Sequence, residues 1–263
     1  MGVTCTFRAE LRAIMSVLHM KFPFRDCQRS VLDLGILHNP HFLSSSHNRC
    51  TISSMILTYH TGGCIRASAG DTTLVFGPVS KSSKNFKPTN FGADVAFVPI
   101  MSNPDMNGVE EAGRGEKRPF VIFGPGEYEV SGVAAHGFAT ASTYSGKEHI
   151  NSVFHVDFDG LSVLYMGALG SMDLPADLLE LDSPDVLIIP VGGNGALSPA
   201  DAQKLAVKLE AKVVIPILFD NKTLTQFLKE AGSEKTEAED KLTIKLKDIA
   251  DKQNEVVVLE SRS

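Results

Sequence analysis

From Met55 onward the apolar residues of this chain fall into short segments separated by turn residues. Residues 55–60, 64–67 and 72–76 read as strands. Thr61-Gly62-Gly63 and Gly70-Asp71 turn the chain between them, the second as a two-residue hairpin. An apolar run over 94–100 opens into a polar loop. Strands over 120–123, 133–140, 153–158 and 161–166 follow, the last two joined by an Asp159-Gly160 hairpin. The texture then changes. Residues 174–181 predict a short helix, and 186–191 form an unbroken apolar run, as a strand covered on both faces would. Ser198 is placed to cap a helix with Pro199 at its first position, and Ala202, Leu205, Ala206 and Leu209 share one face. A strand over 213–218, a helix over 223–231 stopped by Gly232, and strands over 242–246 and 255–259 complete the chain. Hairpins followed by alternating strands and helices predict a layered α/β architecture.

Residues 1–54 do not follow this pattern. They hold six basic residues against three acidic ones, one amphipathic stretch over 7–20, and then a His-, Asn- and Ser-rich run. A secretory signal would need a longer apolar core and a small-residue cleavage site, and the acidic residues weaken a transit-peptide reading. The expectation is an extension outside the fold over 1–54, with Met55 as the natural beginning of one domain over 55–263.

Composition narrows the function classes. The net charge of −6 and pI near 5.8 argue against a nucleic-acid partner, which would call for a basic face. No apolar run approaches the roughly 20 residues that span a bilayer, so no membrane partner is expected. Four cysteines, Cys5, Cys27, Cys50 and Cys64, follow no zinc spacing and point to free thiols in a reducing, cytoplasmic setting.

The candidate chemistry lies where the run over 94–100 ends, because α/β proteins place sites on loops at strand ends. The loop reads Met101-Ser102-Asn103-Pro104-Asp105-Met106-Asn107-Gly108. Four further stretches matter: Gly124-Pro125-Gly126-Glu127-Tyr128-Glu129-Val130, the 159–167 segment Asp-Gly-Leu-Ser-Val-Leu-Tyr-Met-Gly, the 185–193 segment Asp-Val-Leu-Ile-Ile-Pro-Val-Gly-Gly, and the 212–217 segment Lys-Val-Val-Ile-Pro-Ile. Together, over 55 to about 260, they resemble the metallo-β-lactamase superfamily, in the branch of ascorbate-6-phosphate lactonase. That resemblance implies a four-layer αββα sandwich with a metal site in the groove at the loop edges of the two sheets. Homo-oligomers, common among such relatives, are implied as well.

The family's first metal loop is His-x-His-x-Asp-His-x-Gly, of which only Asp105 and Gly108 remain; Met101, Asn103 and Met106 stand at the histidine positions. The later single histidine falls near Ser142, the bridging aspartate on Ala168 and the final histidine on Leu218. Zn²⁺ and Mn²⁺ need nitrogen, oxygen or thiolate ligands, so this set predicts no resident metal and a non-hydrolytic binding or interaction protein. Its ligand would be a small molecule or a protein, held in a groove formed by Gly62, Cys64, Gly192, Gly193 and Asn194. The alternative is a lactonase- or phosphodiesterase-like hydrolase whose Zn or Mn site has moved onto His60, Asp105, His136 and His149. Asp105 also has a plain role open to it, capping the following turn. Cys64 would be a nucleophile only with a base such as His60 in an electropositive setting, and otherwise a small buried hydrophobe.

Overall fold

The computed structural model describes residues 54–262, so the 7–20 stretch and nearly all of the expected extension lie outside them. The described chain begins with strands β1 (Met55–Thr61), β2 (Cys64–Ala69), β3 (Thr72–Phe76), β4 (Val95–Val98) and β5 (Phe120–Phe123). Next come β6 (Gly126–Val130), β7 (Val133–Ser142), β8 (His149–Phe158) and β9 (Leu161–Tyr165). Helices then alternate with strands: α1 (Ala176–Leu179), β10 (Val186–Pro190), α2 (Pro199–Lys208), β11 (Val213–Ile217) and α3 (Asn221–Glu230). Short strands β12 (Ala238–Glu239), β13 (Leu242–Ile244), β14 (Glu255–Val256) and β15 (Val258–Leu259) close the chain.

Local chemistry sets these elements. Gly70-Asp71 joins β2 to β3 with Ala69 paired to Thr72. Asp159 and Gly160, both at positive φ, join β8 to β9, which is the geometry that matches strand twist in a two-residue turn. The Ser198 side chain accepts the Asp201 N–H at the start of α2, and Asp220 with Thr223 forms a reciprocal cap on α3. β8 begins four residues before the predicted 153, because Ile150 and Asn151 extend the ladder against β7 where composition alone reads as loop.

One sheet runs β13-β1-β2-β3-β4-β5 and the other β14-β11-β10-β9-β8-β7-β6, with β12 and β15 as a small separate pair. The two large sheets pack face to face, as expected of the sandwich. Their shared core holds Leu57, Phe76 and Phe97 from the first and Phe154, Tyr165, Ile188 and Ile215 from the second. Phe97 sits 5.4 Å from Phe154, centroid to centroid, and the buried Tyr165 hydroxyl donates across the layers to the Gly63 carbonyl at 2.9 Å. The outer face of the second sheet is covered by helix residues such as Ala202, Leu205 and Phe227. The outer face of the first sheet, around Val75 and Ala96, is covered by Val79, Phe86, Phe91 and Ala112. Those residues belong to loops, whose Lys-, Ser- and Pro-rich sequence carries no helical period. No helix among the described residues is long and apolar enough to cross a membrane.

Candidate functional site

The loop after β4 is folded by its own polar residues. The Asn103 side chain accepts the Asp105 N–H at 2.9 Å, and the Met106 N–H returns to the Asn103 carbonyl at 3.1 Å. Asn103, not Asp105, therefore caps this turn. Gly108 pins the far end: its N–H donates to the Pro78 carbonyl at 2.7 Å, and an added Cβ there would overlap the Val79 carbonyl. The turn drives Met106 fully out of solvent, into an apolar cluster with Ile100, Tyr144, Ala168 and Ala196, against which Leu218 packs. Met101 points the other way and is 45% exposed.

The buried Asp105 carboxylate is already occupied. One oxygen accepts from Ser83 Oγ at 2.6 Å; the other accepts from Asn85 Nδ2 at 2.8 Å and Tyr144 Oη at 3.3 Å. Burial, and then the Asp105 charge, push the Tyr144 phenol well above its ordinary value, so it remains a neutral donor. Tyr144 went unnoticed in the sequence because its partner lies 39 positions away and no pattern marks it.

The other positions that the sequence resemblance matches to family ligands reach the same rim. Ala168 follows β9, and its N–H is held at 2.9 Å by Oδ1 of the wholly buried Asn151. Asn151 Nδ2 donates to the Met166 carbonyl and to Thr140 Oγ1, each at 3.0 Å. Ser142 ends β7, buried, with its Oγ accepting the Tyr144 N–H. Leu218 follows β11 at positive φ and donates its N–H to the Gly62 carbonyl at 2.9 Å. Met106, Ala168 and Leu218 thus meet; Asn103 and Ser142 serve as local turn caps, and Met101 stays outside.

The proposed relocated ligands are not brought together. His60 lines a pocket of about 250 Å³ with Lys87 and Arg262, its ring centroid 4.2 Å from that of Phe91 and tilted by 34°. His136 lies in register with His155 across β7 and β8, in a groove of about 470 Å³ with Glu127 and Glu129. Only Asp105 and His149 share a pocket, of about 300 Å³, over the loop after β4. Among the described residues no three His, Cys, Asp or Glu side chains gather as metal ligands. His60 lies on β1 of the first sheet, while His136 and His149 lie six positions apart along the β7–β8 ladder of the second, so the three line separate pockets. Glu127 and Glu129, from the 124–130 stretch that carries part of the resemblance, line the His136 groove.

The predicted groove residues also have definite places. Cys64 is fully buried, its Sγ 3.7 Å from Thr89 Oγ1, and burial pushes the thiol up to about 12, which leaves no thiolate for nucleophilic work. Gly62 turns β1 into β2 at positive φ. Gly192, Gly193 and Asn194 follow β10 beside the Tyr144 turn, where the Asn194 carbonyl accepts the Ser145 N–H at 3.1 Å.

Burial, then the Arg66 charge, lower His60 to about 4. In the unfolded chain a histidine titrates near ~6.5. Between those values the unfolded chain holds the extra proton, so this group makes stability fall as pH drops from about 6.5 to about 4 and contributes no slope outside that window. A pH series of urea unfolding should show this loss, and His60→Gln should remove it; an identical slope in the variant would refute the assignment.

A family model described as a β-lactamase superfamily domain matches residues 56–218. A UPF0173 metal-dependent hydrolase of Bacillus licheniformis is 24% identical over 196 residues, covering 63% of this chain and 85% of that protein. Its counterpart from Natranaerobius thermophilus is 23% identical over 186 residues, covering 63% and 84%. Among solved structures, a protein described as a candidate Zn-dependent hydrolase of the metallo-β-lactamase superfamily, from Thermotoga maritima, matches with a TM-score of 0.58 and 26% identity, over 79% of this chain and all of that one. With the model match spanning most of the chain and the two packed sheets agreeing with it, this protein belongs to the β-lactamase superfamily in its metallo-β-lactamase form.

Proposed function

We propose that this chain is a non-hydrolytic member of its superfamily, a cytoplasmic binding protein that uses the pocket above the former metal loop. The relatives it matches are named metal-dependent hydrolases. A divalent ion at their kind of site lowers the pKa of a bound water and polarises the scissile bond. The residues at that rim do not suit such an ion. They offer one carboxylate already taken by three hydrogen bonds, one amide engaged in a turn, a fully buried thioether, an alanine and a leucine. A hard or borderline cation needs at least three nitrogen, oxygen or thiolate donors, and desolvating it for thioether and hydrocarbon is unfavourable.

The observation that carries the reading is the packing of Met106, Ala168 and Leu218, three of the positions matched to family ligands in the sequence, around Tyr144. The test is elemental analysis of protein purified without chelator and then incubated with Zn²⁺, Mn²⁺ or Fe²⁺. The expected content is below about 0.1 ion per chain for each metal, as weak adventitious binding leaves after buffer exchange. One or two tightly held ions per chain would overturn the proposal in favour of a metal-dependent hydrolase.

A further inference from the structure

We infer that strand β5 is a docking edge for a second copy of this chain, the two copies pairing antiparallel across a two-fold axis at Val121. β5 ends the first sheet, and among the described residues no strand pairs with its open side. Gly124 and Pro125 lead from it to β6, which ends the second sheet, so one side of the sandwich presents both edges. The four residues of β5 are Phe-Val-Ile-Phe, and Phe120 and Phe123 are 52% and 55% exposed, on opposite faces of the sheet. Natural edge strands are kept from pairing by charge, by proline or by a covering segment. β5 carries no charge of its own.

Backbone geometry selects the partner. The Phe120 N–H donates to the Asp94 carbonyl at 2.8 Å, toward β4. In the alternation of the ladder, Val121 and Phe123 therefore turn their N–H and carbonyl groups to the open side. The Phe123 carbonyl is already used, accepting from Tyr128 Oη at 2.9 Å. The groups that remain are centred on Val121. An axis there lets the Val121 N–H of each copy donate to the Val121 carbonyl of the other, and sets Phe123 opposite Pro119 of the second copy. That proline has no N–H, and the occupied carbonyl needs none. The arrangement is self-complementary and closes after two copies. Charge sets the same direction. The 114–118 stretch before β5 carries exposed Arg114, Lys117 and Arg118 against Glu116 alone, while β6 beyond it carries exposed Glu127 and Glu129. Lys117 and Arg118 form exposed pairs with Asp94 and Glu110, which hold them only weakly. Antiparallel pairing brings the basic approach of one copy toward the acidic exit of the other, whereas parallel pairing sets like against like.

The test is analytical ultracentrifugation of the full chain from about 1 µM to about 1 mM, the span over which a small interface associates. A reversible monomer–dimer equilibrium is expected. Val121→Pro removes the N–H at the axis without touching the pairing with β4, and should raise the dissociation constant about thirtyfold, as two lost hydrogen bonds imply. Phe123→Lys places a charge on the open edge and should weaken the dimer as well. Both changes lie on the uncovered side of an edge strand, so each variant should keep the melting temperature of the parent. Hydrogen exchange identifies the surface: the Val121 amide should slow as concentration rises, and the Phe120 amide, already bonded within one copy, should change far less. A chain that stays monomeric throughout, a dimer that either folded variant leaves at full strength, or a Val121 amide protected equally at every concentration, as by another part of the chain, would each overturn the inference. None of these residues is matched to a family ligand, so the outcome is separable from metal content.

Discussion

Replacing Gly192 by alanine should lower the unfolding free energy by about 4 kcal/mol or more, enough to leave much of the chain unfolded at 37 °C. Gly192 follows β10, where the Val191 N–H pairs with the Ile217 carbonyl at 3.0 Å. An added Cβ would overlap the Leu218 carbonyl oxygen and crowd Phe219. The obstruction is backbone at the exits of two adjacent, fully buried strands, so neither side has a flexible group that can swing away. Its neighbour supplies the control. Gly193 has φ +66 with nothing within 4 Å of a built Cβ, so Gly193→Ala meets only backbone strain, about 1 kcal/mol. Denaturant unfolding of both variants separates the effects; similar losses would show that overlap at 192 is relieved by local movement.

Asn151→Ala should cost about 3 kcal/mol, again read by denaturant unfolding. The side chain is wholly buried and holds three partners at once, the Ala168 N–H, the Met166 carbonyl and the Thr140 hydroxyl. Truncation leaves a buried N–H and carbonyl unpaired, each costing roughly 1–3 kcal/mol, partly offset where water can enter the space. The orientation of the amide is fixed by its partners, since one end must accept from Ala168 and the other donate to Met166. A sharper readout is hydrogen exchange at the Ala168 amide, which should accelerate far more than amides of the first sheet. Uniform acceleration across both sheets would instead mean that Asn151 contributes to global stability without specifically holding this loop.

Much of the scaffold was legible because its signals are local. The Asp159-Gly160 turn needs positive φ at both positions, the Ser198-Pro199 start is a cap within four residues, and the 186–191 run has to be buried on both faces. The match of Met101 to Gly108 to the family's first metal loop rests on the same kind of local signal, a fixed spacing. The site itself was less so. Tyr144 reaches Asp105 across 39 positions, and Lys84 and Lys147 share a pocket only because two unrelated loops fold over one rim. The spread of His60, His136 and His149 was equally hidden, since strand pairing and sheet order decide how far apart they land. The strand read over 255–259 divides into β14, on the second sheet, and β15, paired with the two-residue β12, which carries too little pattern to be seen.

The apolar packing around Met106 also constrains which substitutions the rim can accept. A histidine introduced at 106 alone would enter a space lined by Ile100, Tyr144, Ala168 and Ala196, losing apolar contact and finding no ion to repay it. An aspartate at 168 would bury a carboxylate beside one that is already there. Each single step toward a metal-binding rim lowers stability before any ligand set is complete, so several changes would have to coincide for this cluster to hold an ion.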